Sequence, residues 1–298
     1  MHTNRRQGLR QWRQAFPFLA PALALMALFV LYPLARNVVM SLSVYDILQD
    51  QVTESVGLRH YVDMFTDPRY LVALRNTLLY TLITVPGQMF FGLVLACLLN
   101  AATKGQTLFK VLCYLPVLTS WVIVSLIFKF IFLSGKGGLM NYALLQTGLI
   151  GTPVAWLQGE WTANAVLWMF GIWKGVGWVM VIDLAALQGV SREVYEAAQI
   201  DSAGPVQTFW RITVPMVKNT TLYLMTVLTI GGFGAYIHVM MITEGAPLGL
   251  TNQIMNLMYF TAFSKYDFGY AAAQAVAMGA MIFILTMAQR RLTRETVN

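Results

Sequence analysis

Charge is scarce in this chain. Asp, Glu, Lys and Arg make up 11% of its 298 residues, while 57% are hydrophobic. Soluble domains carry roughly a quarter charged residues, so a wholly water-exposed globular fold is excluded. Apolar runs of about 20 residues place the chain in the helical membrane class. Cysteine is nearly absent: Cys97 and Cys113 both fall in apolar segments, as packed or lipid-facing thiols do rather than a disulfide or metal pair. Catalytic constellations are missing as well. There is no Gly-x-Ser-x-Gly, His-Glu-x-x-His or Cys-x-x-Cys. The Gly-x-x-x-x-Gly-Lys-Ser/Thr phosphate loop is also absent, so the chain is not expected to hydrolyse ATP itself. The net charge of +7 comes without a basic stripe or aromatic-interleaved motif, which argues against nucleic acid as a partner.

What is present is a series of apolar segments separated by polar ones. A basic N-terminus over 1–15 carries Arg5, Arg6, Arg10 and Arg13. Residues 16–71 hold a first apolar span and a polar, acidic-leaning loop, with a surface helix expected near 61–65 and a turn at Asp67-Pro68. The first span is too long for a signal-peptide core and is expected to be retained, with a kink at Pro33. A core over 72–290 holds five further spans, near 72–99, 108–133, 162–187, 221–243 and 268–288. Pro86-Gly87 is expected to interrupt the first of these. A short tail covers 291–298. Of the 20 Lys and Arg residues, 12 fall on the side of the termini and of residues 189–219, and 6 on the opposite side; Lys129 and Lys174 lie within spans. The excess puts both termini and the 189–219 island in the cytoplasm.

Ionisable residues inside a span need a protein or water partner. Lys174 is the sharpest case. Gly171, Lys174, Gly175 and Trp178 share one helix face, a lining suited to a polar solute such as a sugar. The same glycines also suit plain helix packing. In the fifth span Leu228, Gly231, Gly232 and Ala235 share a face with the same two readings. His238 is expected to be a hydrogen-bonded interior residue rather than a metal ligand. Asp183 and Lys129 lie near span ends and are expected to reach interfacial water.

The island at 189–219 is polar and small-residued. Ser191 suits a helix N-cap with Glu193 in the first turn, so a short helix is expected from Arg192 to about Ile200. Gly204-Pro205 restarts the chain into a second short helix ending before Pro215. Glu196 and Asp201 offer charge-assisted bonds to a basic partner.

Glu196-Ala197-Ala198, followed by Asp201, Ser202, Ala203, Gly204, Phe209, Ile212 and Pro215, resembles the EAA loop of ABC importer permeases. Asn76-Thr77, Trp173-Lys174-Gly175, Leu184-Ala185-Ala186-Leu187-Gln188, Gly245-Ala246-Pro247 and Phe268-Gly269-Tyr270-Ala271-Ala272-Ala273 are similar to its carbohydrate-uptake branch. The resemblance covers roughly residues 10–290. Three positions depart from the family pattern: Ser202 for glycine, Ser191 for proline and Val214 for leucine. Gly204 is expected to supply the backbone freedom that Ser202 lacks.

The resemblance implies an all-α, six-span permease of the type I importer fold, in a bacterial inner membrane. It implies a second homologous permease, two cytoplasmic ATPase subunits and an external solute-binding protein as partners. No cofactor is expected in this chain; ATP and magnesium belong to the ATPase. The island becomes the coupling helix seated in the ATPase. A secondary transporter driven by an ion gradient would need intramembrane acid relays or inverted repeats, and neither is evident. An ABC importer for a non-sugar solute stays open.

Overall fold

A computed structural model of the chain describes residues 3–47, 49, 51–101 and 105–294, and side chains from residue 15 to residue 291 of these. Lys104 and the end of the expected tail fall outside it, as do the side chains of Arg5, Arg6, Arg10, Arg13 and Arg294. The chain divides into two units, residues 1–64 with 258–277, and residues 65–257 with 278–298.

In the first unit, α1 (Thr3–Met26) passes through a π-helical turn (Ala27–Leu31) into α2 (Tyr32–Ser41). Proline at 33 has no N–H to give the preceding turn, and the widened turn just before it is the local consequence. The stretch Ala15–Ser41 is apolar enough to span, and its Phe18 is 87% exposed, as a lipid-facing helix requires. A hairpin of β1 (Ser43–Asp46) and β2 (Gln51–Ser55), with a bulge at Val44/Tyr45, follows. It was not expected from the acidic loop. Alternating Val44, Tyr45 and Val52 suit a strand surface, but the run is too short to stand out. Helix α3 (Arg59–Thr66) is the expected surface helix. Its Tyr61 hydroxyl lies 2.7 Å from Ser41 Oγ.

The second unit is built on two long helices, α4 (Pro68–Ala101) and α8 (Glu160–Gln188). Helix α4 runs unbroken through Pro86-Gly87, contrary to expectation. A proline inside a span costs one backbone bond, which neighbouring helices can compensate. The two helices meet at bare backbone. A Cβ on Gly87 would strike Ile172, and one on Gly92 would strike Val179. On α8, a Cβ on Gly171 would strike Thr84, and one on Gly175 would strike Gln88. Small residues at such seams let dispersion contacts hold helices together where lipid offers no hydrophobic contrast.

The expected third span is two helices, α5 (Gln106–Leu118) and α6 (Trp121–Ile131), bent by 94° at Thr119-Ser120. Helix α7 (Leu139–Gln146) precedes α8. The island holds α9 (Arg192–Ile200), α10 (Pro205–Thr208), a π-helical turn (Phe209–Thr213) and α11 (Val214–Met216). The second part of the island thus runs through Pro215 instead of ending before it. As at Pro33, a π-helical turn directly precedes the proline, so the widened turn takes up the missing N–H inside a continuous helical stretch. The expected fifth span is split into α12 (Lys218–Phe233) and α13 (Ile237–Ile242). Gly231, Gly232 and Gly234 lower helix propensity at that break. Helices α14 (Ile254–Phe263) and α15 (Phe268–Arg294) close the chain. Among the described residues four helices are long and apolar enough to cross a bilayer, and a fifth crossing results if α5–α6 is one broken span.

Asn76-Thr77 ties a long loop onto α4. The Asn76 amide donates to the carbonyls of Leu250 (2.7 Å) and Asn252 (3.0 Å), and Thr77 Oγ1 accepts from the Ile254 amide (3.0 Å). Two adjacent polar side chains therefore satisfy backbone groups that regular structure leaves free.

Candidate translocation cavity and docking loop

A cavity of about 320 Å³ lies among α4, α8, α12 and the α5–α6 bend. Seven of the eight residues singled out for a solute path line it: Gly171, Lys174, Gly175, Trp178, Leu228, Gly231 and Gly232. Ala235 is buried outside the lining. Packing and lining are not alternatives for the α8 glycines. Gly171 and Gly175 face α4 and border the cavity at once. Gly232 abuts Thr81, whereas a Cβ on Gly231 would meet nothing within 4 Å.

Lys174 is 3% exposed. Its ammonium donates to the carbonyls of Pro116, Thr119 (2.6 Å) and Val117 (3.4 Å), and to Thr119 Oγ1 (3.3 Å). The Trp121 ring lies 5.3 Å away. Bending the chain by 94° leaves the last carbonyls of α5 without intrahelical partners. A cation there answers both the orphaned oxygens and the negative end of the helix dipole. Lys174 thus pins the broken helix, and its charge is met by dipoles and an aromatic face rather than by a carboxylate. Lys174→Met should lower the unfolding temperature of the purified protein in detergent. Each buried carbonyl stranded by the change costs about 1–3 kcal/mol. An unchanged melting curve would contradict the pinning role.

Sequence inspection overlooked Tyr80, Thr84 and Gln88, which line the cavity from α4. Their signal was available: polar side chains at i, i+4 and i+8 in an apolar run share one helix face. Trp121 was missed because the α5–α6 bend, not the linear order, brings it there. His238 is buried and stacks on Phe170 at 5.2 Å, with Tyr80 at 5.1 Å. Neither of its ring nitrogens has a hydrogen-bond partner, so the expectation of a hydrogen-bonded residue fails. The Tyr80, Trp121 and Phe170 rings that enclose it make ring contacts with the imidazole rather than hydrogen bonds. Asp183 is 2% exposed, not interfacial as expected. It lines an apolar cleft of about 590 Å³ with Phe209 and Trp210. Lys129 pairs with Glu244 at 2.7 Å, and that hydrogen bond holds the Glu244 carboxyl below its ordinary range.

The island is mounted firmly and exposes a distinct face. Ser191 caps α9 by accepting from the Glu193 amide (3.3 Å). Ala198 is buried, while Glu196, Ala197, Asp201, Ser202 and Gly204 are exposed. Ala203 and Ile212 are half-buried, and Pro215 is exposed. Ile200 and Val206 stand 84% and 72% exposed, apolar knobs either side of the turn. Beneath them, Phe209 and Val214 pack on a cluster of Leu93, Ala96 and Leu99 from α4 and Met180, Leu184 and Leu187 from α8.

The turn after α9 explains the departure at Ser202. The Ala203 amide bonds to Ala198 O (2.9 Å), and the Ser202 amide to Gln199 O (3.0 Å). This is the Schellman pattern, whose C′ residue is left-handed and usually glycine. Ser202 occupies it at φ +56°. Gly204, at φ −68° and ψ 165°, contributes no left-handed freedom, so the expected compensation does not occur. Ser202→Gly should stabilise the chain by about 1 kcal/mol, read as a rise in melting temperature. A fall would contradict the strain.

A multi-pass helical membrane protein with a cavity between its spans and an exposed helical island is the class these features define. A family model described as "binding-protein-dependent transport system inner membrane component" matches residues 88–297, and the chain belongs to that family of ABC transporter permeases. It is 33% identical to the probable ABC transporter permease protein YurN of Bacillus subtilis (strain 168), over 92% of this chain and 94% of that one. It is 32% identical to the lactose transport system permease protein LacF of Rhizobium radiobacter, over 99% of each. Its fold is similar to a chain of a bacterial alginate ABC transporter solved with alginate pentasaccharide-bound periplasmic protein. That match has a TM-score of 0.82 at 20% identity and covers 97% of each chain.

Proposed function

We propose that this chain is a permease subunit of an ATP-driven sugar importer, working by alternating access. The observation that carries it is the gathering of residues from α4, α8 and α12 around one cavity in a chain of the permease family. The names of relatives such as LacF support sugar as the solute class. In this proposal the chain crosses the membrane six times with both termini cytoplasmic. The α5–α6 bend and the α12–α13 break lie in two of those crossings. A second permease completes the pathway, and an external binding protein delivers the solute.

Glu196 through Pro215 seat the chain on one of two ATPase subunits, which hold ATP and magnesium. Exposed Ile200 and Val206 supply the apolar contact that such seating needs, and Glu196 and Asp201 the charge. Phe209 and Val214 pass movement of the island to the ends of α4 and α8. Those helices carry Gln88 and Gly175 at the cavity, so nucleotide-driven motion outside the membrane biases two states within it. Affinity isolation of the tagged chain tests the proposal. An ATPase and a second permease should co-purify, and a solute-loaded binding protein should accelerate ATP hydrolysis. Isolation of the chain alone, with uptake driven by an ion gradient, would overturn it.

A further inference from the structure

We infer that Tyr80 and Gln88 of α4 recognise the solute in the cavity, and that they select an uncharged polyhydroxy solute over an anionic one. This rests on the cavity being the transport path. The cavity's single ionisable basic group is Lys174, and no carboxylate lines it. An ammonium has three donors, and Lys174 aims its own at the α5 carbonyls and Thr119 Oγ1. An arriving carboxylate, sulfonate or phosphate would have to break those bonds to reach it. Direct recognition therefore falls to other polar groups.

Tyr80 and Gln88 are 4% and 9% exposed. The Tyr80 hydroxyl has no hydrogen-bond partner among the described residues, and Gln88 makes a single side-chain bond, from Nε2 to Gly171 O at 3.0 Å. Gln88 Oε1 is left as a pure acceptor beside the cavity. Neither this atom nor the Tyr80 hydroxyl is among the buried polar atoms left without a partner, so both are open to the cavity, where a solute can reach them. A sugar hydroxyl can donate to that acceptor and exchange a bond with the tyrosine, whereas a carboxylate cannot donate to Oε1 and meets it with like polarity. The glycines of α8 make room for this pair: any side chain at Gly171 or Gly175 would collide with Tyr80 or Gln88. Trp178 and Trp121 add aromatic faces for the apolar side of a sugar ring.

The test uses the assembled transporter in proteoliposomes, carrying Gly231→Cys in a Cys97→Ser, Cys113→Ser background. Solute in the cavity slows modification of the introduced thiol by a small reagent. Lactose and maltose serve as uncharged probes, lactobionate and maltobionate as their anionic counterparts. At least one uncharged sugar should protect the thiol at a concentration about tenfold below that of its acid. Tyr80→Phe and Gln88→Met should each weaken that protection by about three- to tenfold, the worth of one hydrogen bond, while the thiol without solute reacts at the parent's rate. Equal or better protection by the acids, no protection by either sugar, or protection unchanged in both variants would overturn the inference. If Gly231→Trp blocks uptake while these variants protect like the parent, only the recognition pair fails. If Gly231→Trp leaves uptake intact, the path itself fails.

Discussion

Gly231→Trp is expected to abolish solute uptake while leaving the transporter assembled and its basal ATP hydrolysis intact. A side chain at this position enters open space, since a Cβ there meets no atom within 4 Å. An indole fills much of a cavity of about 320 Å³. Replacing a helical glycine also removes a local helix penalty of about 0.5–1 kcal/mol, so the fold is not asked to absorb the change. Gly231→Ala should transport nearly normally. Uptake in proteoliposomes should fall by more than tenfold in the tryptophan variant, a change of about 1.4 kcal/mol or more in the transport barrier. On sequence alone Gly175 looks an equal place for this test, but it is not. Its Cβ would lie 2.8 Å from Gln88 Nε2, so a bulky residue there displaces the Gln88 amide and confounds blockage with loss of that group. Full uptake by Gly231→Trp would remove the cavity from the pathway.

Glu196→Lys should also reduce uptake to background, for a different reason. Glu196 stands exposed on α9 while Ala198 anchors the same helix. Reversing its charge opposes the proposed basic surface of the ATPase without touching the packed side of the island. Insertion in the membrane and the melting temperature should therefore match the parent. Binding-protein-stimulated ATP hydrolysis should be lost together with uptake if the island is the proposed seat on the ATPase. Retained stimulation with lost uptake would place the defect elsewhere.

The spans and the island were largely legible because their signals are local. Apolar length marks α4, α8 and α15, and a serine followed by a first-turn glutamate marks α9. Less legible were features set by partners distant in sequence. Lys174 reads as an intramembrane cation, yet only the bend in α5–α6, some 55 residues away along the chain, shows which carbonyls it serves. Pro86 reads as a helix breaker, but tight contact between α4 and α8 keeps that helix whole. Tyr80, Thr84 and Gln88 show in the sequence as one polar face of an apolar run, but which neighbouring helices that face meets depends on α8 and α12, far along the chain. Ser202 shows the reverse: a departure from family pattern in the sequence became a specific backbone strain once φ was known.

The central claim is that the cavity between α4, α8 and α12 opens alternately to the two sides of the membrane under the control of ATP. Its most direct test is the rate at which the thiol of Gly231→Cys, in the cysteine-free background, reacts with a membrane-impermeant reagent added on one side only. Without nucleotide, the thiol should react from the cytoplasmic side. With ATP and loaded binding protein under hydrolysis-blocking conditions, it should react from the external side. Reactivity that is indifferent to nucleotide, or absent from both sides, would contradict the account.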